Sequence, residues 1–325
     1  MIVRPRHRLP VRAAAAFVAA AVVVAACGSD DSDDPAAEAA EATTPSTAAP
    51  ASTSAPETTA APTTTIAPPE PIPPSPPDGM ELVWSDEFDG PEIDLANWTY
   101  DIGGWGWGNG EAQYYTDRPE NARIENGLLV IELRQEKFEE SFYTSARLKT
   151  QGLQEFQYGR LEARIKVPPG KGTWPAFWML GSGFEEGSED PAKQWPTIGE
   201  IDIMEYVGRD PDLVLGTIHG PGYSGAGGRS TWFRQEHEIA DEFRTFAIDW
   251  DENRIQWFYE GEMYAEIGPD DLAGLDWVFD QPFFFILNFA LGGTLGGFIS
   301  PELEYPMHYY VDYVRVYQDV AGTDG

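Results

Sequence analysis

From Met80 onward apolar residues tend to recur at every second position, and helical stripes of period 3.6 are nearly absent, which confines the chain to β architecture. The clearest run is Tyr158-Gly159-Arg160-Leu161-Glu162-Ala163-Arg164-Ile165-Lys166-Val167. Here Leu161, Ala163, Ile165 and Val167 share one face, and Arg160, Glu162, Arg164 and Lys166 share the other. Such alternation suits an antiparallel strand with one side against a core. The Asn126-Gly127 pair lies between apolar runs at 122–124 and 128–133, and a type I′ hairpin turn needs φ > 0 at both of those central positions. Further strands are expected at 144–149, 213–219, 243–250, 254–259, 283–290 and 309–317. Many short strands joined by Gly- and Pro-rich connections predict an all-β domain over 80–325, an antiparallel β-sandwich of jelly-roll type.

The residues before it have a different character. Arg4, Arg6, Arg8 and Arg12 precede an apolar run at 13–26 that is short for a membrane span, so residues 1–27 are expected to be an export signal. Val24-Ala25-Ala26-Cys27 resembles the bacterial lipobox, and that resemblance implies lipidation of Cys27 and an extracellular protein tethered to the cell membrane. Two acyl chains give lasting attachment where one gives marginal binding. The alternative is an ordinary cleaved signal with an incidental cysteine. Cys27 is the only cysteine, which excludes a disulfide framework and a cysteine-based zinc site. Residues 28–79 carry no aromatic residue, no Lys and no Arg, and Pro, Thr, Ala and Ser fill most positions. Too little apolar surface is available there to offset ordering entropy, so an extended, disordered linker is expected. Its Asp30-Asp31-Ser32-Asp33-Asp34 cluster fits a solvated spacer better than a metal site. Acidic residues outnumber basic ones 54 to 21, a formal net charge of −33 that would repel a phosphate backbone, so nucleic acid is excluded as a partner.

Candidate chemistry concentrates in Gly199-Glu200-Ile201-Asp202-Ile203-Met204-Glu205-Tyr206. In a regular strand Glu200 and Asp202 point to one face, while Glu205, an odd number of positions from Asp202, points to the other. A β-bulge at Ile203-Met204 would return Glu205 to the shared face, and a bulge is therefore expected. Three neighbouring carboxylates repel, so at least one should hold a proton near neutral pH. A neutral carboxylic acid beside an ionised one is what glycosidic cleavage requires. The Cα atoms of Glu200 and Glu205 would stand roughly 13 Å apart, and inward-leaning side chains can narrow this to the roughly 5–5.5 Å of retaining glycosidases. Taken alone, three acids in six residues also fit a solvated strand face or part of a calcium site. In Gly172-Thr173-Trp174-Pro175-Ala176-Phe177-Trp178-Met179-Leu180, however, Trp174, Ala176 and Trp178 share a face, a possible platform for the C–H faces of sugars. Either Trp could equally belong to the core. The stretch Gly103-Gly104-Trp105-Gly106-Trp107-Gly108-Asn109-Gly110-Glu111 is too rich in glycine for a regular strand and suits a loop that displays aromatic and amide groups.

With GEIDIMEYVG, the chain carries GGWGWGNGEAQYYT, YGRLEARIKVPPGKGTWPAFWML, FFFILNFALGG and VDYVRVYQ in this family's order, and it resembles glycoside hydrolase family 16, most closely laminarinase-like endo-β-1,3-glucanases. The resemblance covers about residues 82–318. It implies an open concave cleft and a retaining double displacement on β-glucan polysaccharide, with Glu200 as nucleophile, Glu205 as general acid/base and Asp202 governing their protonation. It also implies substrate contacts by Asn109, Arg147, Trp174, Trp178 and His219, together with Trp105, Trp107 and Asn288. His219, at a strand end, could instead be a structural histidine. No cofactor is implied for the chemistry. A structural calcium on the convex face is implied, with Glu87 and Asp312 among its ligands, and a monomer is expected. Two departures from the family pattern stand out: Phe243-Arg244-Thr245-Phe246-Ala247 has Arg in place of the usual His, and Gly292-Gly293-Thr294-Leu295-Gly296 lacks the commoner Asn-Trp. Remaining alternatives are a same-fold hydrolase or transglycosylase acting on mixed-linkage glucan, agar or carrageenan, and a non-catalytic carbohydrate-binding module.

Overall fold

The alternating runs pair into two sheets in the computed structural model, which describes residues 66–320. The expected export signal, Cys27 and the expected linker up to residue 65 lie outside the described residues. One sheet has ten strands, among them Gly159–Lys166, Arg244–Asp251, Arg254–Tyr259 and Met307–Asp319. The other has seven, in the spatial order Arg229–Arg234, Leu213–His219, Glu200–Tyr206, Thr173–Gly181, Phe283–Leu291, Arg147–Lys149 and Thr99–Tyr100. The pairing is antiparallel except between Tyr114–Tyr115 and Ser141–Ser145. The result is a β-sandwich of jelly-roll type.

Burial follows the period-two expectation. Leu161, Ala163 and Ile165 face the interior, and Arg160, Glu162 and Arg164 lie on the outer side of the ten-stranded sheet. Phe177 and Met179 are buried between the sheets, so Trp174 and Trp178 stand on the opposite face of their strand. The hairpin forms where expected: Glu125 pairs with Leu128, and Asn126 and Gly127 take φ of 55° and 74°. The run expected at 144–149 is two strands, Ser141–Ser145 and Arg147–Lys149, which belong to different sheets. Three strands of six or more residues escaped the sequence reading: Met80–Asp86, Arg229–Arg234 and Glu262–Ile267. Their polar residues or exposed apolar residues blur the alternation on which that reading relies. Among the described residues no helix is long and apolar enough to cross a membrane.

Residues 66–79, the last part of the expected linker, run along the outer side of the ten-stranded sheet. Their carbonyls accept hydrogen bonds at three points: Ile66 from Asn126 Nδ2 (3.0 Å), Glu70 from Arg164 Nη1 (3.3 Å) and Ile72 from Arg315 Nη2 (2.6 Å).

The same arginines engage the two carboxylates expected to hold a calcium ion, Glu87 and Asp312. Arg315, only 3% exposed, binds both carboxylate oxygens of Glu87, through Nε at 2.9 Å and Nη2 at 2.7 Å. Asp312 Oδ2 accepts from Arg164 Nη1 at 2.7 Å. Guanidinium groups thus supply positive charge at both, and at Glu87 a bidentate fork occupies both carboxylate oxygens. EDTA is therefore expected to leave the melting temperature unchanged, whereas Glu87→Gln, which strips a buried arginine of its partner, should lower stability by about 2 kcal/mol in chemical denaturation. A melting point lowered by EDTA and restored by calcium would reverse this conclusion.

Candidate active site

The strand Glu200–Tyr206 lies near the middle of the seven-stranded sheet, and its register slips where parity demanded it. On one side Asp202 pairs with Thr217 and Glu205 with Leu215, so three steps along this strand match two along its neighbour. On the other side Asp202 pairs with Trp178 and Met204 with Phe177. Ile201, Ile203 and Met204 are all buried in the core, which leaves Glu200, Asp202 and Glu205 on the opposite face. This is the expected bulge.

A bulge leaves ladder groups without strand partners, and a buried unpaired carbonyl is costly. Here Trp257, from the other sheet and fully buried, reaches across the core and donates its indole N–H to the Asp202 carbonyl at 2.9 Å. Gly216 makes room for that indole. A Cβ at this position would sit 2.4 Å from the Trp257 ring. A second cross-core bond, from Tyr309 Oη to the Ala176 carbonyl (3.3 Å), ties the neighbouring strand to the same sheet.

The acids meet a small set of partners. Trp174 donates its indole N–H to Glu205 Oε1 at 3.0 Å. His219 Nε2 lies 3.2 Å from Asp202 Oδ2 and 3.5 Å from Glu200 Oε1. These three are the one group of potential metal ligands within mutual reach among the described residues. Burial raises the pKa of all three carboxyls well above the usual range. For Glu200 the charge of Asp202 raises it further, while His219 and Arg147 pull it down. For Glu205 the charge of Asp202 also raises it, against the Trp174 hydrogen bond and His219. The cluster therefore holds protons at pH values where exposed carboxyls have lost theirs.

The other expected binding residues form a wall beside the acids. The Arg147 guanidinium is sandwiched between the rings of Trp107 and Trp178, each 4.8 Å away. Asp101 Oδ2 holds its Nε at 2.9 Å, and Lys149 Nζ reaches Asp101 Oδ1 at 2.5 Å. Trp178 donates to Asn288 Oδ1 (2.7 Å), and Asn288 Nδ2 donates to Tyr115 Oη (2.9 Å). Tyr115 Oη and Gln113 Nε2 both donate to Glu111 Oε2, at 2.9 and 2.7 Å. Trp105 stacks 4.1 Å from Trp107 and remains 59% exposed. Asn109 Nδ2 donates to Glu111 Oε1 at 3.2 Å, and its carbonyl accepts from Thr294 N at 2.8 Å, which fastens the Trp105–Trp107 loop to the glycine-rich turn after Phe283–Leu291. Arg147 and Asn288 thus hold the indoles of Trp107 and Trp178 in place.

Sequence reasoning did not single out Asp101, Glu111, Gln113 and Tyr115, which order this wall. The parts of GGWGWGNGEAQYYT that follow the tryptophans carried the only signal. Trp195, whose ring centre is 6.0 Å from that of His219, was missed as an isolated aromatic in a loop.

The sequence profile of the glycosyl hydrolases family 16 matches residues 109–293. The β-glucanase of Rhodothermus marinus is 46% identical over 249 residues, covering 73% of this chain and 85% of that protein. Two solved structures are similar along nearly their whole length. One is the catalytic domain of an endo-1,3-β-glucanase (laminarinase) from Thermotoga petrophila RKU-1, with 46% identity, a TM-score of 0.69, and coverage of 74% of this chain and 98% of that chain. The other is the endo-β-1,3-glucanase from Pyrococcus furiosus, with 43% identity, a TM-score of 0.70, and coverage of 75% and 96%.

The raised carboxyls make a signed prediction. Between the unfolded carboxyl pKa of about 4 and the higher folded values, the native state binds more protons than the unfolded chain, so stability falls as pH rises through this window. Asp202→Asn removes one such group. Its melting temperature relative to the unsubstituted protein should therefore climb steadily from about pH 5 to about pH 9, and a pH-independent difference would contradict the proposed burial and crowding.

Proposed function

The chain belongs to the glycosyl hydrolases family 16, and from that premise we propose that it is a retaining endo-glycosidase that cleaves internal β-1,3-glucosidic bonds of laminarin-type glucan. The observation that carries this reading is the in-phase placement of Glu200, Asp202 and Glu205 beside an aromatic wall. The β-1,3-glucanase names of the similar proteins give the substrate class.

The order of the acids in the family's motif divides the roles. Glu200 is the nucleophile; it faces His219, and His219 and Arg147 both lower its pKa against burial and the charge of Asp202. Glu205 is the general acid: burial and the charge of Asp202 raise its pKa, against the Trp174 hydrogen bond. In the first step the Glu200 carboxylate attacks the anomeric carbon while Glu205 protonates the departing glycosidic oxygen. In the second, Glu205 takes a proton from water, which attacks the glycosyl-enzyme ester and releases Glu200. Asp202 lies between them and exchanges charge with both. Burial raises its own pKa. The substrate is neutral, so the acidic surface needs no charge partner on it.

The place of action we propose is outside the cell, at the membrane through a lipidated Cys27. The pattern of the first 27 residues supports it.

Reducing-sugar release from laminarin tests the assignment. Glu200→Gln and Glu205→Gln should each lower kcat by at least about 10³-fold while laminarin is still bound. Retained hydrolysis in both variants would sink the catalytic reading, and binding without hydrolysis in the unsubstituted protein would favour a carbohydrate-binding module. Faster release from agar, carrageenan or mixed-linkage glucan than from laminarin would reassign the substrate.

A further inference from the structure

The edge strand Arg229–Arg234 lies two strands from the catalytic one and has no part in the site described so far. Its residues alternate between half-buried and exposed. Phe233 turns inward, packing 5.2 Å from Tyr259 and 5.6 Å from Tyr264. Trp232 must therefore turn to the catalytic side of the sheet. The neighbouring pair fixes that face independently: Thr217, the cross-strand partner of Asp202, donates through Oγ1 to Ser230 Oγ at 3.1 Å. Trp232 is 65% exposed.

Registers across the sheet place this ring in line with the chemistry. Arg147 pairs with Asn288, Asn288 with Ala176, Ala176 with Glu205, Glu205 with Leu215, and Leu215 with Trp232. The six positions form one row perpendicular to the strands. At about 4.8 Å per strand, Trp232 stands roughly 10 Å beyond Glu205, on the side away from Trp107 and Trp178. The acids are thus flanked by indole surface in both directions along the line a polysaccharide would follow.

A single exposed aromatic is ordinary on a protein surface. What separates Trp232 from that background is its alignment with the row of Glu205 and its continuity with the catalytic face through Leu215. Pairing of the edge with another polypeptide is disfavoured by Arg229 and Arg234 at the two ends of the strand, since charged ends blunt a sheet edge. A flat apolar ring with a polar N–H suits the C–H face of a glucosyl unit.

We propose that Trp232 is a distal sugar-stacking platform, which holds a glucosyl unit of the same chain beyond those flanking the cleaved bond and on the opposite side of that bond from Trp178. This rests on the β-1,3-glucanase reading given above. The platform would grip long chains more firmly than short ones and so favour cleavage inside the polymer.

The test compares kcat/KM on laminarin with kcat/KM on the β-1,3-linked glucotriose. In Trp232→Ala the polymer-to-trimer ratio should fall roughly three- to tenfold, mostly through KM on the polymer, and Trp232→Tyr should restore much of it. Because the ring is exposed, the melting temperature of both variants should stay near that of the unsubstituted protein. A ratio unchanged in Trp232→Ala overturns the platform. So does a dimer, seen by analytical ultracentrifugation, that Trp232→Ala dissolves, because the ring would then be covered by a second copy. If the unsubstituted protein hydrolyses no laminarin, the functional reading fails; if it does so and only the ratio fails to move, the platform alone is wrong.

Discussion

The hydrogen bond from the Trp257 indole to the Asp202 carbonyl stands at the point where this fold departs from regular pleating, and the chemistry depends on that departure. One extra residue between Asp202 and Glu205 turns Met204 into the core and Glu205 out of it. Such a slip breaks the ladder where the sheet is buried, and the exposed carbonyl needs a donor. The donor comes from the opposite sheet, through a space that Gly216 leaves open. Core packing and catalytic geometry are therefore one arrangement seen from its two faces.

Above the bulge the problem is charge. Three carboxyls share a poorly solvated face, with His219 between two of them and the Arg147 guanidinium behind a screen of indoles. Burial favours protonation of every acid, and their mutual repulsion sharpens the preference. The site thus trades stability for a cluster of acids whose pKa values are all raised. The Trp107–Arg147–Trp178 stack and the chain of hydrogen bonds from Trp178 through Asn288 and Tyr115 to Glu111 hold the wall rigid, so substrate meets surfaces already in place.

Features written in local parity were legible in the sequence. The odd spacing of Glu205 from Asp202 demanded a bulge, and the even spacing of Trp174 and Trp178 put both rings on one side, with Phe177 and Met179 on the other. The Asn126-Gly127 hairpin was equally local. Features made by distant pairing were not. The ion pair that occupies Glu87 joins residues 228 positions apart, and a carboxylate expected to bind a cation gives no local sign that an arginine already satisfies it. The stacking of Arg147 left no local sign either, because its two partners come from a loop and from a strand on the far side of Phe283–Leu291. The edge strand with Trp232 escaped because Arg229-Ser230-Thr231 offers no apolar alternation.

The stereochemistry of the first product tests the double displacement most directly. Proton NMR of freshly hydrolysed laminarin should show the new reducing end appearing first as the β-anomer and turning into the α-anomer only by mutarotation, because displacement by Glu200 followed by water inverts the same carbon twice. An α-anomer appearing first would mean a single displacement by water and would contradict the account.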